Sequence, residues 1–200
     1  MKKDGIAYTI LVTFVVSFVF VGLLAFANEV TREKAETNAL IADRRAVLNA
    51  LGIPYSGDAE VLDVYAKQVE EFKLGELQMK RATVNGQPVE AVRFSGAGLW
   101  GTITGVMGIT TDLSQIVGLD IITQNETPGL GGRIGEPWWK AQFRGEKLVN
   151  GQIDIATGSG RGDKDPGNGK VDAVTGASLT SNAMENVINQ TLKTLKEARK

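Results

Sequence analysis

The chain has neither cysteine nor histidine, and both absences narrow its chemistry before any motif is considered. Without cysteine there are no disulfides, thiolate nucleophiles, iron–sulfur ligands or cysteine-type zinc sites. Without histidine it lacks the usual neutral-pH general base, a Ser-His-Asp triad, histidine-ligated haem and most zinc catalysis. Charge of either sign is not in excess: 22 Lys+Arg face 23 Asp+Glu, for a net charge of −1. That balance removes the electrostatic footprint of a nucleic-acid binder. A chain this poor in reactive side chains either binds passively or borrows its chemistry from a cofactor. Proline is scarce, at 5, while 24 glycines point to many tight backbone positions rather than disorder. The 200 residues have room for one globular domain plus an appendage.

Gly5 to Ala27 carries no charge and is dense in Val, Leu, Phe and Ile. As helix this run is about 34 Å long, enough to cross a hydrocarbon core of about 30 Å. A cleaved signal peptide is the competing explanation, with Lys2 and Lys3 as its n-region and Ala25-Phe26-Ala27 as its cleavage site. The apolar run exceeds the usual h-region of about 7–15 residues, so a retained single-pass anchor is expected. Lys2 and Lys3 precede the span and Arg32 and Lys34 follow it, a slight bias toward a cytoplasmic N-terminus with the larger domain outside the cytoplasm. The resulting organisation is an anchor at 1–27, a helical neck at 28–52 and a domain at 53–200.

In the neck, Leu40, Ile41, Arg44, Val47, Leu48 and Leu51 fall on one helical stripe, and Gly52 with Pro54 marks its end. Helical spacing of Val61, Leu62, Tyr65, Val69 and Phe72 predicts a second helix over 59–72. Beyond Gly75 the period becomes extended. Residues 78–84 and 89–94 flank Asn85-Gly86, the signature of a type I′ hairpin. Further strands are expected over 101–110, 116–123 and 152–157, with a short helix opening at Pro137 and a polar loop over 158–170. A last helix, from about Thr180 onward, puts Met184, Val187, Ile188, Thr191, Leu192 and Leu195 on one face. The expected fold is α+β: a membrane helix and neck, then a mostly antiparallel sheet closed by a C-terminal helix.

Three stretches carry candidate chemistry. In the first, Asp172 to Ser181, four hydroxyls (Thr175, Ser178, Thr180, Ser181) surround the small residues Gly176 and Ala177 just before a helix. Free N–H groups at a helix start favour an anion, so the segment reads as a phosphate-sized site with a hydroxyl at its centre. A Ser/Thr-rich helix cap is the commoner explanation on spacing alone. The second, Glu126-Thr127-Pro128-Gly129-Leu130-Gly131-Gly132, is a rigid Pro-Gly turn that exposes backbone amides and one leucine. The third, Gly98-Leu99-Trp100-Gly101, reads as a glycine bend with one core tryptophan.

The first stretch resembles the flavinylation motif of the FMN-binding domain family, D-x-x-[ST]-G-A-[TS], in which a hydroxyl carries FMN through a phosphoester bond. Asp172, Thr175, Gly176 and Ala177 match it, and Ser178 takes the place of the flavin-bearing residue. The usual residue there is threonine; serine offers the same oxygen nucleophile. The second stretch resembles the E-T-P-G-L-G segment of the same family, about 45 residues upstream, and the third resembles its G-L-W element. The resemblance implies covalent FMN on Ser178, with Asp172, Thr175, Gly176, Ala177, Thr180, Glu126, Thr127, Gly129 and Leu130 as cofactor-binding residues.

The family includes the G subunit of the Rnf complex and the C subunit of the sodium-translocating NADH:quinone oxidoreductase. It therefore implies an electron relay within an ion-translocating complex of the inner membrane. The implied partners are other membrane subunits, plus a flavin transferase during maturation. Two other readings are an anchored assembly module without flavin and a stand-alone extracytoplasmic flavoprotein. Asp163, Asp165 and Asn168 imitate a calcium loop, but Gly167 and Val174 occupy positions where an EF-hand needs ligands. Trp138 and Trp139 read as core or interface aromatics.

Overall fold

The computed structural model describes residues 5–200; Lys2 and Lys3 lie outside the described residues. The chain divides into two units, Met1–Leu40 and Ile41–Lys200. One helix, α1 (Ile6–Leu51), runs through both without a break. Up to Leu40 its large apolar side chains, among them Phe14, Phe18 and Leu24, are exposed. Among the described residues this is the one helix long and apolar enough to cross a membrane. Its uncharged stretch also lacks proline, so each peptide N–H beyond the first turn finds its carbonyl within the helix, as a lipid environment demands.

In the second unit the end of α1 is buried, with Ala46, Val47, Leu48, Ala50 and Leu51 in the core. Gly52 adopts φ +76° and stops the helix. Helix α2 spans Asp58–Gln68 and is shorter than its periodicity predicts, because Val69 turns extended at φ −112°, ψ 123°. Phe72, whose spacing predicts helix, belongs to strand β1 (Glu70–Leu74). Phe72 and Leu74 alternate in β1 and both pack on the sheet's core, and a two-residue period satisfies them as well as a 3.6-residue one does.

Strands β1, β2 (Leu77–Val84), β3 (Gln87–Ala97), β4 (Thr102–Thr110), β5 (Gln115–Thr123) and β6 (Glu146–Lys147) form one antiparallel sheet in chain order. Asn85 and Gly86 both have positive φ, as the predicted hairpin requires. The sheet feeds two cores. Ala82, Val89, Ala91 and Val106 meet the end of α1 and α2 on one face. Met79, Val92, Phe94, Met107 and Ile109 face the opposite core, shared with α3 (Pro137–Ala141) and α4 (Ser178–Ala198). A register shift between Gly108 and Ile109 lets Ile116 and Leu119 point the same way despite their odd spacing. Gly108 and Gly118 are paired across β4 and β5, and both lie under the Ala50 carbonyl. Any side chain there would strike helix backbone.

A second, two-stranded sheet pairs β7 (Asp154–Ala156) with β8 (Lys170–Asp172) in parallel. The sequence pattern predicts β7 but neither β8, which follows a polar loop, nor the two-residue β6. Side chains of α4 serve the backbone beside β7: Asn189 accepts from the Ile153 N–H (3.0 Å) and donates to its carbonyl (2.9 Å), while Glu185 accepts from the Ile155 N–H (3.1 Å). Trp139 is fully buried against Phe143, edge to face at 4.9 Å, and Trp138 donates its indole N–H to Glu136.

Candidate functional site

The turn before α4 decides which of its hydroxyls are free. Gly176 takes φ +79°, and Ala177 occupies the N-cap position, so no side chain caps the helix. Ser181 is buried; its hydroxyl donates to the Ala177 carbonyl and accepts from the Val174 N–H. Thr180 is buried too, and its hydroxyl donates to Glu126 at 2.6 Å. Thr175 and Ser178 remain exposed. Ser178 is therefore the first residue of a 21-residue helix rather than its cap, beside N–H groups that lack intrahelical acceptors.

The second stretch folds back on itself: the N–H groups of Leu130 and Gly132 both donate to the Thr127 carbonyl, with Gly129 at φ +75°. This turn brings Leu130 against the motif turn, where a Cβ on Gly176 would lie 3.4 Å from the leucine methyl. Glu126, at the base of the turn, is 4% exposed. Its two oxygens are both engaged, Oε2 by Thr180 and Oε1 by the Trp100 N–H at 3.0 Å.

The third stretch departs from the sequence expectation. Trp100 is 70% exposed, not a core residue. Gly98 closes a tight turn by donating to the Gly101 carbonyl at 2.7 Å, and the Trp100 N–H is drawn inward to Glu126. That leaves the indole outside, while Trp139, Phe143 and Phe94 fill the core. The three stretches thus converge, and each shows apolar side chains to solvent: Leu99 and Trp100, Leu130, and Leu179.

Asp172, expected at the cofactor, is buried and serves the neighbouring loop. One of its carboxylate oxygens accepts from the Ser159 hydroxyl and from the N–H groups of Gly160 and Gly162, at 3.0–3.2 Å. Gln142, which no sequence motif singles out, holds both ends of this loop by accepting from the N–H groups of Asp163 and Asp172. Its buried amide gives no periodic signal in the sequence. Asp163 and Asp165 accept from backbone N–H groups of their own loop, and Asp163 sits below the usual carboxylate range, first because Asn168 donates to it. Nearby, burial pushes the Glu146 carboxyl above its ordinary value, although it accepts from the Gly169 N–H at 2.7 Å. Among the described residues no three acids converge as metal ligands.

Two concavities lie elsewhere, one between α4 and β7–β8 and another between α4 and β3. The converging stretches instead offer an open face with the exposed hydroxyls of Thr175 and Ser178, free helix N–H groups and exposed leucine and indole side chains. Such a face suits a flat heteroaromatic group with a phosphate at one end. Residues 98–193, which enclose all three stretches, match the FMN-binding domain family. This segment, just under half of the chain, is similar to FMN-binding domains. The C subunit of the Na(+)-translocating NADH-quinone reductase of Neisseria meningitidis serogroup A is 37% identical over 130 residues, covering 64% of this chain and 44% of that protein. The aligned part thus spans less than half of that relative. The corresponding C subunit of Vibrio anguillarum is 26% identical over 236 aligned positions, covering 94% of this chain and 91% of that protein. The fold is that of solved C subunits of this reductase. The Parabacteroides distasonis protein superposes with a TM-score of 0.69 at 23% identity, covering 84% of this chain and 96% of that one. The Shewanella oneidensis protein gives 0.60 at 22%, covering 76% and 96%.

Proposed function

We propose that this chain is a membrane-anchored electron-relay subunit of an ion-translocating complex of the NADH-quinone reductase type, with FMN esterified to Ser178. The observation that carries the reading is the free, exposed Ser178 hydroxyl at the start of α4, within the face built by the three motif stretches. Curated relatives named as C subunits of a Na(+)-translocating NADH-quinone reductase support the assignment to such a complex.

Bound FMN would supply the redox chemistry, taking up electrons and passing them on. The chain's own residues bind and orient. Ser178 Oγ would bond to the FMN-side phosphorus of an FAD pyrophosphate, the P–O–P bond would break with AMP as leaving group, and the seryl proton would pass to the flavin transferase. The phosphate would then rest at the α4 N-terminus, where the helix dipole favours negative charge. Leu99, Trp100, Leu130 and Leu179 would give the ring system an apolar bed. An ester bond keeps the group from diffusing away. The anchor would hold the domain at the inner membrane, on the side away from the cytoplasm, within reach of the other membrane subunits.

Intact-mass spectrometry of the chain coexpressed with a flavin transferase tests the reading. A gain of one FMN that disappears in Ser178→Ala is expected. No gain in the unaltered chain would leave an anchored assembly module instead.

A further inference from the structure

We propose that Glu126 is a positioning residue, the buried carboxylate that holds the three motif stretches in register, and not a ligand of the flavin. Its carboxylate is almost wholly withdrawn from water, at 4% exposure, and burial of an acid is costly unless its oxygens are hydrogen-bonded. Both are. Oε1 accepts from the Trp100 backbone, 26 residues away in sequence, and Oε2 from the Thr180 hydroxyl, 54 residues away. Both oxygens are thus bonded within the protein.

The slot is shaped to the group. A Cβ on Gly98 would lie 2.5 Å from Oε1, and one on Gly131 would lie 3.0 Å from Oε2 and overlap the Thr180 hydroxyl. Glycines from the third and second stretches therefore wall the carboxylate, and a side chain at either would displace it. One residue thus fixes the indole-bearing loop, the Pro-Gly turn and the first turn of α4 relative to one another. These are the elements that carry Trp100, Leu130 and Ser178. A second negative charge facing the flavin phosphate would repel it; turned inward, Glu126 avoids that and supplies geometry.

The function of that geometry rests on the flavin reading, whereas the positioning itself can be measured without flavin. Hydrogen exchange of the full chain in detergent micelles, read by mass spectrometry, compares segments 98–103, 126–132 and 174–182 with the hairpin 79–92 as reference. Glu126→Ala should accelerate exchange at least about tenfold in all three segments, since 98–103 and 174–182 each lose one charge-assisted hydrogen bond and 126–132 loses both, and leave the reference unchanged. Glu126→Gln should stay near the unaltered chain, because its amide oxygen can accept from Trp100 while its amide nitrogen donates to Thr180. Thr180→Val should loosen 126–132 and 174–182 but spare 98–103. Acceleration confined to 126–132, uniform acceleration that includes the hairpin, or a Gln variant as loose as the Ala variant would overturn the proposal. In coexpression with the transferase, the Ala variant should gain FMN about tenfold more slowly and the Gln variant at nearly the normal rate. If the unaltered chain gains no FMN, the flavin reading falls and the exchange pattern alone decides the role of Glu126.

Discussion

Gly108 and Gly118 form a saddle into which the end of α1 sits, and replacing each by alanine should give unequal costs. A Cβ on Gly108 would overlap the Ala50 carbonyl oxygen and lie 2.6 Å from its carbon, with the Leu51 nitrogen at 3.3 Å. All three are backbone atoms of a helix that cannot rotate aside. Relief requires lifting the helix end, which carries the fully buried Val47, Leu48 and Leu51. Overpacking costs about 1–3 kcal/mol, and a backbone obstacle puts Gly108→Ala near the top of that range, about 3 kcal/mol. Restricting the unfolded chain returns about 0.4–1 kcal/mol, for a net loss of about 2 kcal/mol. At Gly118 the added carbon would meet the Ala50 and Asn49 carbonyl oxygens at 2.9 and 3.1 Å. A smaller shift relieves these contacts, and the net loss there should be about 0.5 kcal/mol. Thermal unfolding of the full chain in detergent should show Tm lowered by about 4–8 °C for Gly108→Ala and by about 1–2 °C for Gly118→Ala. A Gly108→Ala variant as stable as the unaltered chain, or a Gly118→Ala variant that loses more, would refute the close-approach argument.

Two further substitutions probe the C-terminal half. Because burial raises the Glu146 carboxyl above its ordinary 4.5, the folded state holds that proton to a higher pH than the unfolded state. Stability from this group therefore falls as pH rises from 4.5 through the folded-state value, and Glu146→Gln should be more stable than the unaltered chain at neutral pH, with the difference closing at acidic pH in denaturant titrations. Asn189→Ala strips the Ile153 N–H and carbonyl of their partners and should cost about 1–3 kcal/mol in the same titrations, with faster exchange confined to 152–156.

Much of the molecule is legible from local pattern. The long apolar run, the Asn85-Gly86 hairpin, β4, β5 and the stripe on α4 each follow from spacing within one segment. Where local signals are ambiguous, the chain takes a different course. Val69 and Phe72 fit helical spacing, yet β1 pairs with β2 and packs Phe72 against the sheet's core. Three-residue β8 has no periodicity of its own and exists because β7 lies alongside it. The site is half legible. Its three stretches can be picked out one at a time, but the Glu126 contacts that join them span 26 and 54 residues and leave no trace in local spacing. Trp100 shows the limit most plainly: its exposure depends on where its own backbone N–H is bonded, not on the hydrophobicity of the indole.

The clasp of Asn189 and Glu185 beside β7 bears on how copies of the domain tolerate crowding. A two-stranded sheet ordinarily invites a third strand from a neighbour, because the outer peptide groups of an edge strand are unfilled. Here helix side chains occupy the Ile153 and Ile155 amides, leaving no row of donors for an incoming strand to register against. On a membrane, where diffusion in two dimensions raises encounter frequency, this closure keeps neighbouring copies from zipping into an extended ribbon along β7.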